Sequence, residues 1–288
     1  MLRTYLLRLR QRHRQALAQA AVPGAVDRNT NLLLAAAGAL AAVALFSWGG
    51  YQTGFVPIHD AGTRLPASLL EILTSLGDGL SAVCLAALLA RRQPHALWLA
   101  VVAAGYATVL SNGLKLLFHA ARPHVVLGPA LAVIGPELHA LSFPSGHTVT
   151  AFVAAACFSV GRPLGVRLLL YALACAVALS RVWVGAHWPL DVIAGAAVAG
   201  LAVGLAVPTV RANRWGLALV PHLAFVASIV LCAVAALIRV PDYVLAGPLS
   251  VTVALLALTL LLWDYVFEPL RGRAAAAGSD QPPFSSTL

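Results

Sequence analysis

Three short stretches hold the residues whose types and spacing could do chemistry: Lys115 with Arg122-Pro123, then Pro144-Ser145-Gly146-His147, then Ser180-Arg181 followed by His187 and Asp191. Together they supply three cations, two imidazoles and one carboxylate, and Lys115 is the single lysine among nineteen basic residues. A guanidinium makes paired hydrogen bonds to phosphoryl oxygens, and an ammonium acts on them as a point charge. Ser145 suits the N-cap of a helix opening at Gly146, and bare N–H groups there bind phosphate with help from the helix dipole. Pro189 fits a helical first turn, which puts Asp191 about one turn beyond His187. A carboxylate so placed can accept a hydrogen bond from one imidazole nitrogen, fixing the tautomer and leaving the other nitrogen as nucleophile or base. Taken singly, each piece also fits a plain structural role: a capped helix start, a boundary histidine beside a capping aspartate, arginines that anchor to headgroups. It is their order, spacing and common side of the membrane that favour the phosphate chemistry.

The elements that must position these groups are helices in a bilayer. The chain has 288 residues, 60% of them hydrophobic and only 10% charged, against about 25% charged in a soluble domain. Its net charge of +9 is explained by arginines flanking membrane spans, so no nucleic-acid partner is expected. Cys84, Cys157, Cys175 and Cys232 sit in apolar runs without metal-ligand spacing, which implies neither a zinc site nor a disulfide framework. Apolar runs near 31–50, 67–90, 95–118, 146–161, 164–186, 188–208, 215–238 and 243–267 each approach the roughly 20 residues a membrane helix needs. The expected fold is therefore all-α, a polytopic helical bundle. It divides into a basic cytoplasmic tail (1–30), a six-span core (31–208), two additional spans (209–270) and a polar, Pro-rich, disordered tail (271–288). Within the N-terminal tail, Leu2, Tyr5, Leu6 and Leu9 share one helical face and permit a surface-lying helix.

Placing the N-terminus in the cytoplasm and alternating through eight spans leaves fourteen of the nineteen basic residues on the cytoplasmic side, as the positive-inside rule asks. Arg64, Lys115, Arg122, Arg181 and Arg239 fall on the other side, and three of those five belong to the stretches above. Cations on the disfavoured side call for an anionic ligand. Every chemical residue then lies at the outer end of the bundle, with both chain termini cytoplasmic.

In these residues the chain resembles the type 2 phosphatidic acid phosphatase superfamily, which includes vanadate haloperoxidases and soluble bacterial acid phosphatases. The resemblance covers about residues 115–191 and matches all three family motifs. It implies a phosphatase without metal or other cofactor. His187 would attack phosphorus to form a phosphohistidine, with Asp191 orienting it and His147 acting as general acid and base. Lys115, Arg122, Ser145, Gly146 and Arg181 would hold the phosphoryl oxygens. The implied setting is a bacterial inner membrane, with the site facing the periplasm and an amphiphilic lipid phosphate as substrate.

Undecaprenyl diphosphate is the substrate expected first; phosphatidylglycerophosphate, phosphatidic acid and lipid A phosphates are alternatives. A lipid phosphotransferase using the same phosphohistidine remains open, as does a non-enzymatic lipid transporter, and the sequence leaves the oligomeric state unknown. Glu71 and Asp78, seven residues apart in the second run, would share a helical face; they would either hydrogen-bond between helices without a catalytic part or line a cavity and pair there with a motif arginine. His119, His124, Glu137 and His139 populate a loop that could recognise a headgroup.

Overall fold

The computed structural model describes residues 2–137 and 139–271; the expected polar tail, past Arg271, lies outside the described residues. Helices α1 (Leu2–Gln19) and α2 (Ala25–Gly49) lead into the short α3 (Phe55–Gly62), α4 (Ala67–Ser75), α5 (Gly79–Leu85) and α6 (Ala87–Ala90). There follow α7 (Pro94–Phe118), α8 (Pro123–Leu127), α9 (Gly146–Phe158), α10 (Leu164–Trp183), α11 (Pro189–Ala212), α12 (Leu219–Ile238) and α13 (Gly247–Leu262). No strand occurs among the described residues. Six segments are long and apolar enough to cross a membrane: α2, the α7–α8 unit, α10, α11, α12 and Val244–Arg271 around α13. The chain is a multi-pass membrane protein.

Two of the eight expected spans take another form. The run at 67–90 breaks between α4 and α5, with a bend of 64°. Asp78 caps α5 at the break, its carboxylate accepting from Ser81 N at 3.0 Å. Gly77 lies against α9, where a β-carbon would come within 2.9 Å of both Cβ and the carbonyl oxygen of His147. The chain turns where it must let that helix approach. The fourth expected span is α9, whose 13 residues reach only about 20 Å of a hydrocarbon core about 30 Å thick. Its buried flank packs on α5, α7, α10 and α11, so enclosure by other helices satisfies it where lipid would not.

At the centre runs α11, packed against α2, α7 and α9. Its small residues make that possible, because helices in lipid associate through close backbone approach. Gly200 is the clearest case: a β-carbon there would sit 2.5 Å from the Asn31 carbonyl oxygen of α2. Asn31 is itself buried, donating to Asp27 O at 2.8 Å and accepting from the Tyr171 hydroxyl at 3.1 Å, so α2 also bonds to α10. Helix α2 begins at Ala25, ahead of the expected start at 31, and its Asp27 carboxylate accepts from Gly24 N at 2.8 Å.

The basic N-terminal segment folds back as α1 across the far end of the bundle. Tyr5 donates to Tyr265 O at 2.6 Å, His13 contacts Leu217 O at 2.8 Å, and Arg12 pairs with Glu268. Arg91 joins the same cluster through Asp264 at 2.6 Å. Helices α12 and α13 pack on each other and lean on α5.

Gly200→Leu should overpack the α2–α11 contact and destabilise the protein by about 1–3 kcal/mol, lowering the melting temperature in detergent. Gly165→Leu, at a helical position with open space around it, should leave the melting temperature unchanged.

Candidate active site

The site grows from the turn between α10 and α11. Arg181 ends α10 in effect, its carbonyl accepting from both Ala186 N and His187 N at 3.1 Å, while Gly185 takes φ 76° inside the loop. This pins His187 beside the start of α11. Asp191 stands at the third helical position, where its Oδ2 accepts from Trp188 N at 2.9 Å. The helix therefore caps itself with the same carboxylate that meets the imidazole.

Asp191 is fully buried. Its Oδ2 lies 3.3 Å from His187 Nδ1 and accepts from the Ser142 hydroxyl at 2.5 Å; its Oδ1 accepts from the Tyr51 hydroxyl at 2.5 Å. Burial, then the Asp191 charge, pushes the Tyr51 hydroxyl up, so it stays a donor. Burial pushes the His187 imidazole down to about 3, with the Asp191 hydrogen bond opposing. His187 is thus neutral at pH 7. With its proton on the carboxylate side, Nε2 carries the lone pair, and Arg122 Nη1 sits 3.5 Å from that nitrogen.

Arg122 and Arg181 act on this imidazole, and they and Lys115 are held by neutral oxygens. Arg122 donates to Ala186 O at 3.1 Å and Ala140 O at 3.2 Å, while Lys115 Nζ donates to Leu141 O at 2.8 Å and Pro144 O at 2.9 Å. Arg181 donates to Thr74 and, at 2.5 Å, to the Tyr243 hydroxyl. Among the described residues no carboxylate forms a salt bridge with Lys115, Arg122 or Arg181. Arg181 is 3% exposed, and its Nε is buried without a hydrogen-bond partner. A buried donor left unmade costs about 1–3 kcal/mol, and an incoming phosphoryl oxygen would satisfy it.

The fourth side is the start of α9. Ser145 caps the helix, its hydroxyl oxygen accepting from the Thr148 hydroxyl at 3.0 Å, and its own N–H donates to Asp191 O at 3.0 Å. That bond ties α9 to α11, and a helix leaves its first-turn N–H groups, here those of Gly146 and His147, free to bind an anion. His147 lines a small cavity with Asp78, Ser81, Arg239, Asp242 and Tyr243.

The fold thus brings together Lys115, Arg122, Ser145, Gly146, His147, Arg181, His187 and Asp191. It separates Glu71 from Asp78, since the break at Gly77 removes their common face. The Glu71 carboxylate accepts from Leu245 N at 2.6 Å, and Asp78 faces Arg239 at 3.4 Å. Neither meets a motif arginine, and only Asp78 borders the His147 cavity. The loop histidines His124 and His139 stand 3.4 Å apart on the exposed surface. Among the described residues no group of three or more His, Cys, Asp or Glu has metal-holding geometry. Sequence reasoning missed Tyr51, Thr74, Ser142 and Tyr243, whose hydroxyls bond to Asp191 or Arg181.

Residues 95–215, which hold all the motif residues, match the family model described as the PAP2 superfamily. The chain carries a PAP2 superfamily domain. Tyr51, Thr74 and Tyr243 reach the PAP2 site from outside that range. The lipid A 1-phosphatase of Rhizobium etli is 34% identical over 45% of this chain and 65% of its own length. The undecaprenyl-diphosphatase of Sulfolobus acidocaldarius is 36% identical over 31% of this chain and 43% of its own. The chain spans less than two thirds of each of these relatives. Among solved structures, Aquifex aeolicus LpxE is similar at 29% identity, covering 54% of this chain and 92% of that one, with a TM-score of 0.50.

Tyr51→Phe and Ser142→Ala each remove one donor from Asp191 while keeping the rest. Each should lower turnover about tenfold, the worth of one hydrogen bond to a charged group, measured as phosphate release from a lipid phosphate.

Proposed function

We propose that this chain is a lipid phosphate phosphatase that works through a phosphohistidine on His187. The observation that carries this reading is the His187 imidazole, neutral, held by Asp191 at Nδ1, with Arg122 3.5 Å from Nε2 and Arg181 nearby. Phosphoryl transfer asks mainly for positioning and for charge at the equatorial oxygens. Lys115, Arg122, Arg181 and the N-terminus of α9 supply both, without a metal.

Nε2 of His187 attacks phosphorus as the bond to the lipid oxygen breaks, and His147, protonated once the phosphoryl anion lies beside it, donates the proton that the leaving oxygen takes up. A water then attacks the phosphorus, giving its proton to His147, and the N–P bond breaks to release inorganic phosphate. Asp191 holds the imidazolium-like ring throughout without taking its proton. The buried, unpartnered Nε of Arg181 gains its hydrogen bond when the phosphoryl group arrives.

For the substrate, a lipid A phosphate, as in the name of the Rhizobium relative, is the first reading, because that match covers the larger share of both chains. Undecaprenyl diphosphate, the expectation from sequence, stays as the second, favoured by the name of the Sulfolobus relative. Charge supports the orientation expected from sequence: Arg12, Arg91, Arg211 and Arg214 gather at the end opposite the site, which favours a cytoplasmic face there and a periplasmic face for the site.

Purified protein offered a panel of lipid phosphates should release inorganic phosphate, with no loss in EDTA. His187→Ala should reduce release by about a thousandfold or more; undiminished release would remove His187 from the chemistry. His147→Ala should cost about 100-fold or more on a monoester, and less on a diphosphate, whose phosphate leaving group needs no proton; equal losses would end the general-acid role. Phosphorylated lipid in place of free phosphate would identify a phosphotransferase.

A further inference from the structure

The proposed reaction leaves α12 without a role, and α12 lies outside the PAP2 domain of residues 95–215. Yet one of its faces is set against the site. Phe225, Ser228, Ile229 and Cys232 line an apolar cavity of about 660 Å³, whose other walls are α5, α7 and α9. Two turns on, Ala236 and Arg239 line the small polar cavity that holds His147. The spacing of these six residues follows the helical repeat, so they form one continuous stripe.

The two cavities adjoin. Gly79 and Gly146 border the apolar one, and their sequence neighbours Leu80 and His147 border the polar one. Lys115 stands at the head of the apolar cavity, the only charged residue among its walls. A cation at one end, apolar walls below it and the general acid alongside match an amphiphile whose phosphate sits at the cations. The hydrocarbon chain of a lipid phosphate leaves from the oxygen that His147 protonates, so it must depart on the side where His147 and α12 meet. From Phe225 to Arg239 the stripe runs about 21 Å, at 1.5 Å per residue.

We infer that α12 is the specificity wall for the substrate's hydrocarbon chain: the chain lies in the cavity between α12 and helices α5, α7 and α9, with its headgroup beside His147 and Arg239. The inference rests on the phosphatase reading and adds to it the part of the molecule that selects long-chain substrates. Helix α12, with α5, thereby completes a binding site of which residues 95–215 supply only the α7 and α9 walls.

Ser228→Trp and Cys232→Trp place a large side chain in the cavity far from the phosphate site, and Leu231→Trp, on an outward face at 70% exposure, is the matched control. With the full-length protein in detergent, kcat/KM would be compared for a long-chain lipid phosphate and for p-nitrophenyl phosphate, which has no tail. Each cavity variant should lose about tenfold or more on the lipid while changing less than about twofold on the tail-less ester, a range typical of hydrophobic-pocket discrimination. Leu231→Trp should change neither. Cys232→Leu, a smaller intrusion, should give the same selective loss in milder form, which guards against a tryptophan variant that fails to fold. Equal losses on both substrates across these variants, or no loss on the lipid, would overturn the role of α12; the latter would mean that a bystander membrane lipid fills the cavity. If the unsubstituted protein released phosphate from neither substrate, the phosphatase reading itself would fall.

Discussion

The site end of this bundle depends on one buried carboxylate. Asp191 is shut off from solvent, so an ionised side chain there is tolerable only when donors surround it. It finds them in the hydroxyl of Tyr51 just past α2, the hydroxyl of Ser142 in the loop after α8, the N–H of Trp188 and the imidazole of His187. Its backbone carbonyl receives the N–H of Ser145 at the head of α9. One residue therefore ties together the end of α2, the loop carrying Ser142, and the starts of α9 and α11. The geometry that orients the His187 imidazole and the geometry that closes the fold here are the same set of hydrogen bonds.

Around that anion the chain assembles more positive charge than it neutralises. Lys115, Arg122 and Arg181 are held by carbonyls and hydroxyls, which fix a cation in place without cancelling its charge. The amino ends of α9 and α11 add their dipoles at the same end of the bundle. Low dielectric strengthens each of these fields, and the groups would need little rearrangement to receive a phosphoryl group. Arg181 shows the arrangement most plainly: its Nη1 is anchored by Thr74 and Tyr243 while its Nε has no partner.

How much of this could be read in the sequence depended on how far each contact reaches along the chain. His187 and Asp191 are four residues apart, and Ser145 to His147 are contiguous, so local helix geometry sufficed to pair or align them. The hydroxyls that complete the site come from 49 residues away for Ser142, 140 for Tyr51, 107 for Thr74 and 62 for Tyr243. No spacing rule joins those partners; only the packed bundle does. Hydropathy likewise showed one apolar run at 67–90, blind to the contact between Gly77 and His147 that accompanies its break, and so the common face of Glu71 and Asp78 was lost. It also took α9 for a full span, when burial by its neighbours lets 13 residues suffice. Near the other end, Tyr5 bonds 260 residues away, which is why the N-terminal segment read as a tail and folds as a docked helix.

The central claim is a covalent bond between His187 Nε2 and phosphorus, and a rapid-quench experiment tests it most directly. Protein mixed with a radiolabelled lipid phosphate and stopped in alkali within one turnover should carry label that survives base and is released by acid, and the labelled peptide should contain His187. Label on another residue would contradict this. So would stoichiometric phosphate release, with inversion of configuration at phosphorus, from a protein that never becomes labelled.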